Sequence, residues 1–426
     1  MKIAIIGSGI SGLSAAYLLQ HDHEISVFES DSRIGGHTAT KDVSINQRDY
    51  KIDTGFIVYN DWTYPNFIAL LNELGVENQE TEMGFSVTAN NGAYEYSGTN
   101  IGTLFAQLKN VFSFRHWQMI RDILRFNKEA IADLEQEKID GEISLGDYLV
   151  QKGYSRQFID YYLVPMGCAI WSASTQTMLE FPLLFFVRFF KNHGLLSVNN
   201  RPQWRVIKGG SSAYLDKISQ GFKDKIQLNT KITSVTRNNG KATIFFDNDS
   251  SEAFDQVIFA CHSDQALALL SDASDVEQEV LGAIAYQNND VVLHTDISLL
   301  PKRQKTWSSW NYLLDQKEQS HAVLSYDMNI LQGIESEHTF VVTLNATERI
   351  AEEKILGQYQ YSHPVFTMDA IAAQNRWQEV NGVNSTWFCG AYWHNGFHED
   401  GCKSGIRVAK AIGSKASESW SVPWQD

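Results

Sequence analysis

The order of apolar and polar positions sorts the chain into strands and helices before any chemistry is considered. KIAII (2–6) is a short, unbroken apolar run that stops at a glycine, the pattern of a strand buried on both faces. ISGLSAAYLL (10–19) follows as an apolar helix, and HEISVFES (23–30) as a second strand that ends on an acidic residue. Strand, helix and strand in that order predict an α/β fold. Further along, helical stretches are expected over about 102–136 and 144–164, and Phe185, Phe186, Phe189 and Phe190 recur at helical spacing. NNDVVLHTD (288–296) reads as another strand, WSSWNY (307–312) as aromatic surface, and YSHPVF (361–366) as a segment broken by Pro364. STWFC (385–389) predicts a late strand, followed by a loop and a glycine-opened helix in DGCKSG.

That last loop raises a question of chemistry. WHNGFHEDGCKSG (393–405) places His394, His398 and Cys402 at every fourth position, and on one helix these metal-ligand types would share a face. Asn395-Gly396 interrupts the first half, however, and Asp400 is an N-cap type that predicts the helix start. Lys403, Arg407 and Lys410 then mark one polar face, with Ile406, Ala409 and Ile412 turned inward. His394 and His398 are thereby expected in the loop and Cys402 in the helix, so no metal site is predicted. The glycines allow a close backbone approach, and the N–H groups of a helix start favour a partially negative partner.

GSGISG (7–12) between the first strand and helix is a GxGxxG turn, and Glu29 closes the next strand about 20 residues on. Gly7 permits the tight turn, Gly9 lets a pyrophosphate approach the backbone, and Gly12 lets helix and strand pack closely. Glu29 supplies a carboxylate for ribose hydroxyls. The context of strand, helix and acid predicts dinucleotide binding.

Charge and cysteine content narrow the partners. With 35 Lys+Arg and 50 Asp+Glu, the net charge of −15 argues against nucleic acid and against general attraction to anionic membranes. Cys168, Cys261, Cys389 and Cys402 are scattered, with no CxxC, which suits a reducing cytosol. The first strand starts at Lys2, so no signal peptide is expected. No apolar run approaches the roughly 20 residues that span a bilayer.

DSRIGGHTAT (31–40) puts a glycine doublet after the acidic strand, and KIDTGF (51–56) follows. With these residues the sequence resembles the flavin amine oxidase and phytoene desaturase superfamily, in which an R-x-G-G-R-like turn wraps FAD phosphates. Arg33, Gly35 and Gly36 match that turn, and His37 stands where many members have a second arginine. RPQWRVIKGGSSAYLDKI (201–218) looks like the mid-chain glycine segment, KITSV (231–235) and FDQVIFACHS (254–263) like the return strands, and FCGAYWHNGFHEDGCKSG (388–405) like the last flavin-binding segment. The resemblance implies FAD contacts at Ser11, Ser30, Thr54, Gly55, Val235, Gly390 and Ala391, in addition to the glycine turns and Glu29. It also implies that Asp400, Gly401 and Cys402 open a helix against the isoalloxazine. A bacterial subfamily with DTGFIVYN and GFHEDG signatures is the closer resemblance. Its genes commonly neighbour cyclopropane-fatty-acid-synthase-like methyltransferases, which implies fatty-acyl modification.

The fold so implied is an amine-oxidase-like two-domain α/β architecture. A discontinuous Rossmann-like FAD domain is expected from 1–75, 200–265 and 385–426, and an α+β substrate domain from 76–199 and 266–384. The phenylalanine-rich run has two readings. It is a core helix, or the wall of an apolar tunnel whose mouth, with Arg188 and Lys191, touches lipid head groups. Many amine oxidases carry a lysine where this chain has Asn288, Asn289 and Asp290, and its absence lowers the expectation of amine oxidation. The expected function is an FAD-dependent oxidoreductase taking hydride from an apolar, fatty-acyl or other lipid substrate. An amine or small-molecule oxidase, and a flavin-binding sensor or assembly protein without turnover, are the alternatives. His398 is the first candidate proton acceptor, because an imidazole pKa of roughly 6.5 suits transfer near neutrality; His363 and His294 follow. A single dinucleotide fingerprint leaves oxygen, a quinone or a protein carrier as the electron acceptor. The expected location is cytoplasmic, or the inner face of the membrane.

Overall fold

The computed structural model describes residues 1–314 and 321–420. Positions 315–320 and 421–426, the latter closing the expected nucleotide domain, lie outside the described residues. The elements that build the site are, first, β1 (Lys2–Ile6), α1 (Ile10–Leu19), β2 (Glu24–Phe28) and α2 (Pro65–Glu73). Next come α3 (Phe114–Glu135), α4 (Leu183–Asn192), β3 (Ile226–Gln227) and β4 (Gln256–Phe259). β5 (Tyr286–His294), β6 (Ile355–Pro364), β7 (Thr386–Phe388) and α5 (His398–Ile412) complete the set.

Five strands form a parallel sheet in the order β3-β2-β1-β4-β7. The continuous apolar run of β1 follows from its central place, with Ile5 level with Val27 on one side and Ile258 on the other. Helix α1 is buried almost all round because α5 packs on it as well. Glycine makes that approach possible: a Cβ on Gly12 would lie 2.1 Å from the Gly7 carbonyl oxygen, and one on Gly405 would lie 2.2 Å from that of Ser11. The first residue pattern thus fixes a strand–helix contact, and DGCKSG fixes the helix–helix contact against it.

A second, seven-stranded sheet runs β6, β5, Val341–Leu344, Leu324–Asp327, Trp310–Leu314, Phe85–Ala89 and Tyr94–Ser97. All its neighbours are antiparallel except Trp310–Leu314 with Phe85–Ala89. Beside the expected boundary at 75/76, a small sheet joins Val58–Asn60 and Asn78–Thr81 to Trp204–Ile207. The pairing therefore crosses the boundary drawn from sequence.

The helical stretch expected over 102–136 is divided. Asn100 caps a short turn through Thr103 N, and Ser113 caps α3 by accepting from His116 N. Two short pieces, Ile101–Leu104 and Leu108–Val111, precede the long helix. The stretch expected over 144–164 likewise passes through Leu145–Gln151 and a π turn at Ile159–Leu163. In α4, Phe186, Phe189 and Phe190 are buried and Lys191 pairs with Glu135, so that run is a core helix.

The opening of α5 corrects the expected boundary. The helix starts at His398, not Asp400, and Asp400 sits in its first turn, accepting from the Phe397 N–H at 2.9 Å. An acid at the third helical position caps backward as well as an N-cap residue caps forward. His398 and Cys402 are consequently both helical.

Candidate functional site

The site forms where the C-terminal ends of β1 and β4 meet the turns after β2 and the edge strand β6. Gly7 takes φ 106° and donates its N–H to Phe28 O, tying the ends of β1 and β2 together. A Cβ on Gly7 would stand 2.8 Å from Ala260 O, so this glycine serves packing, as Gly12 does. Gly9 is different. Its φ of −70° suits any residue, and a Cβ there would meet nothing within 4 Å. Open space lies directly over the glycine expected to face a pyrophosphate, at the N-terminus of α1.

Glu29 reaches back over the same loop. Its Oε2 accepts from Ser8 N (2.9 Å) and Ser8 Oγ (2.5 Å), and its Oε1 from Asp31 N (2.9 Å) and the adjacent Ser30 Oγ. The glycine doublet that follows takes left-handed backbone at both Gly35 (φ 110°) and Gly36 (φ 55°). Arg33 braces this turn, donating to Thr38 O (3.0 Å) and Gly36 O (2.8 Å), so its N–H groups serve the turn itself.

His37 comes next, and four rings gather at that point. Tyr361, His363 and His262 stand 5.2, 5.6 and 6.0 Å from His37, and Tyr286 stacks on His262 at 4.3 Å. Burial, then the neighbouring His262, lowers the His37 pKa to about 4, and burial likewise lowers His262 to about 4 and His363 to about 3. The imidazoles are neutral at pH 7. His37 Nε2 is buried without a hydrogen-bond partner among the described residues. A buried orphan ring nitrogen next to open space over a glycine turn fits a large polar ligand with phosphate or ribose groups. Thr54 and Gly55 back this turn. Thr54 Oγ1 bonds Tyr361 Oη at 2.9 Å, and a Cβ on Gly55 would lie 2.1 Å from His37 O.

The late segment explains WHNGFHEDGCKSG without a metal. Glu399 accepts from Asn66 N, Asn66 Nδ2 and Phe67 N at 3.1, 2.6 and 2.8 Å, and so caps α2 from outside. Burial raises its pKa to about 7, and raises that of Asp400 to about 6. Cys402 Sγ lies 3.5 Å from Ser14 Oγ on α1, and a Cβ on Gly401 would meet Ile10 at 2.7 Å and Ser11 Oγ at 3.0 Å. Gly390 N donates to Ser404 Oγ, which holds the Gly390–Ala391 corner to α5. Among the described residues, no three His, Cys, Asp or Glu side chains form a metal-ligand group. Glu399→Ala leaves two N–H groups at the start of α2 unpaired, a loss expected to cost about 1–3 kcal/mol. Thermal unfolding should show a lower Tm, with Glu399→Gln intermediate because it keeps an acceptor.

The three histidines proposed from sequence occupy different settings. His398 is buried, stacked on Phe56 at 3.7 Å, with its Nε2 sharing a 2.9 Å hydrogen bond with Tyr214 Oη, which in turn bonds Thr38 Oγ1. His363 is half-buried on β6, its Nδ1 3.4 Å from the amide nitrogen of Asn289, one of the residues at the lysine position. It lines a recess with Trp171, Phe181, Gln287 and Phe366. His294 is not brought to this place. It lies seven residues along β5 from Gln287, the partner of His363, about 23 Å at roughly 3.3 Å per residue. There Thr343 Oγ1 and Asp296 N occupy its two ring nitrogens. Val235 lies on the strand Ile232–Asn238, where its carbonyl accepts from Ser271 N and Oγ.

Four residues of the site carry no motif of their own. Tyr214 falls in the glycine segment already noted, and His262 ends FACH directly after β4, where a strand end of a parallel sheet marks ligand sites. Tyr361 precedes His363 by two, and alternation on a strand could have placed both on one face. Asn289 gave no signal beyond standing in the place of a lysine.

The flavin containing amine oxidoreductase family model matches residues 10–314. The probable flavin-containing monoamine oxidase A of Dictyostelium discoideum is 26% identical over 276 residues, covering 61% of this chain and 56% of that protein. The zeta-carotene desaturase of Solanum lycopersicum is 24% identical over 235 residues, covering 50% and 38%. The chain spans about half the length of the curated relatives it matches. Among solved structures, a CLA-producing fatty acid isomerase from P. acnes superposes with a TM-score of 0.69 at 15% identity, over 96% of this chain and 98% of that one. With the match covering most of the sequence and the glycine turns, open space and two-sheet architecture in place, the chain belongs to the flavin containing amine oxidoreductase family, whose usual cofactor is FAD.

Proposed function

We propose that the chain is an FAD-dependent oxidoreductase that removes hydride from a C–H bond of an apolar, fatty-acyl or other lipid substrate. The observation that carries this reading is the chemistry beside His363, where Trp171, Phe181 and Phe366 wall a narrow recess and, among the described residues, no charged side chain lines it. Rings without a charged neighbour offer apolar surface to an acyl chain, provided the narrow recess widens to admit it. The desaturase and fatty acid isomerase among the similar proteins add support for a lipid.

The residues present divide the work. The α1 N-terminus and the space over Gly9 would hold the diphosphate, Glu29 the ribose hydroxyls, and His37 a polar group through its orphan Nε2. The bound flavin supplies the hydride acceptor. The aromatic wall excludes water from the reacting carbon. His363, held through Nδ1 by Asn289, is the proton acceptor of this scheme, and its burial-lowered basicity limits it to a modest share of the rate. Oxygen, a quinone or a protein carrier would take the electrons onward.

Anaerobic mixing of the FAD-loaded protein with fatty acids and, separately, with alkyl amines tests the reading. Bleaching of the flavin absorbance by a fatty acid and not by an amine is the expected result. Bleaching by amines alone overturns it in favour of amine oxidation. No bleaching by either overturns it in favour of a flavin-binding role without turnover.

A further inference from the structure

Residues 101–124 present apolar side chains to solvent at a density that the site does not use. Ile101 is 77% exposed, Leu108 81%, Phe112 89%, Phe114 77%, Trp117 50% and Leu124 54%. They stand on the two short helical pieces and the first turns of α3. The opposite face of α3 is anchored, with His116, Met119, Asp122 and Phe126 buried. Phe114, Trp117, Arg121 and Leu124 therefore form an outward stripe at helical spacing. Side chains more than three-quarters exposed rise above the surface instead of lining a groove. An apolar cluster of this kind marks a docking face.

The charge around it identifies the occupant. The chain as a whole carries −15, yet no Asp or Glu occurs from Tyr96 to Arg121, and Lys109, Arg115 and Arg121 are interspersed with the apolar residues. All three are exposed. The next acid, Asp122, is buried and pairs with Arg121 at 3.3 Å. We propose that this face docks on an anionic lipid bilayer surface, with Leu108, Phe112, Phe114 and Trp117 entering the interface and the cations meeting the head groups. Rings and leucines that stand clear of the surface suit a fluid interface, and lysine and arginine stems reach from apolar depth to phosphate. Among the described residues no helix is long and apolar enough to cross a membrane, so the contact is peripheral. It is a different surface from the Arg188–Lys191 mouth considered from sequence, and it does not depend on the substrate assigned above.

Co-sedimentation of the full FAD-loaded chain with phosphatidylglycerol–phosphatidylcholine vesicles, and with phosphatidylcholine alone, tests it. The expected result is binding to the anionic vesicles, weaker binding to the neutral ones, and release at high salt. The double variant Phe112→Ser/Phe114→Ser should keep its flavin and Tm, because both side chains are solvent-exposed, and bind at least about tenfold more weakly. The charge variant Lys109→Glu/Arg115→Glu should lose the preference for anionic vesicles. Absence of binding by the unaltered chain overturns the proposal, as does equal binding by the double variant. If light scattering shows a dimer that the double variant breaks and vesicles bind neither form, a second copy covers this face and the proposal fails.

Discussion

Gly9→Leu is expected to yield a folded protein that purifies without flavin. The two halves of that result come from different observations. Gly9 has backbone angles open to any residue, and its missing Cβ points into free space, so leucine enters without moving the fold. Its neighbours have no such freedom: a Cβ at Gly12 would press on the Gly7 carbonyl at 2.1 Å, and one at Gly7 on Ala260 at 2.8 Å. A leucine at Gly9 fills the volume that a diphosphate needs and blocks its approach to the N–H groups of α1. The ratio of flavin to protein absorbance should fall to the background of unbound FAD, while far-UV circular dichroism and the cooperative unfolding of the apoprotein persist. Gly12→Ala provides the contrast, losing flavin and fold together. Stoichiometric FAD in folded Gly9→Leu would place the cofactor elsewhere.

His363→Gln is expected to slow flavin reduction about 10²-fold with full FAD content, the lower end of the range for loss of a general base. The lower end applies because burial holds this imidazole at a pKa of about 3, which weakens it as a proton acceptor. His398→Gln should behave in the opposite way. Its ring fills the space between Phe56, Phe67 and Tyr214, and its Nε2 completes the chain to Thr38. Removal should lower the Tm and leave the reduction rate of the surviving flavoprotein close to that of the unaltered chain. Stopped-flow reduction and thermal unfolding on both variants separate the roles. A large rate loss in His398→Gln at unchanged stability, with His363→Gln at full rate, would reverse the assignment.

Much of the nucleotide half was legible because local pattern decides it. An unbroken apolar strand, a glycine turn and an apolar helix can bury their surface only in a layered parallel sheet, and two needs of that turn are local: the left-handed backbone of Gly7 and the contact of Gly12 with the Gly7 carbonyl five residues back. The N-cap of α5 is Phe397, three residues earlier than the expected Asp400, since a capping acid can serve from the N-cap or from the third helical position, and the two share a sequence signature.

Sequence by itself thus determined the α/β class and the dinucleotide turn with Glu29, but it placed His398 in a loop, whereas the helix opens at that residue and carries both His398 and Cys402. Only the tertiary structure decided what the polar residues before those glycines do. Glu399 caps a helix 332 residues away from it in sequence, His398 packs on Phe56, and Gly405 admits the backbone of Ser11. It also separated His363 from His294, which stand on strands paired along their whole length yet lie at opposite ends of them. The physical reason is range. A turn or a strand is set by neighbours in sequence, whereas the partner of a buried carboxylate or imidazole is set by which distant elements the core brings to it, and no local pattern records that choice.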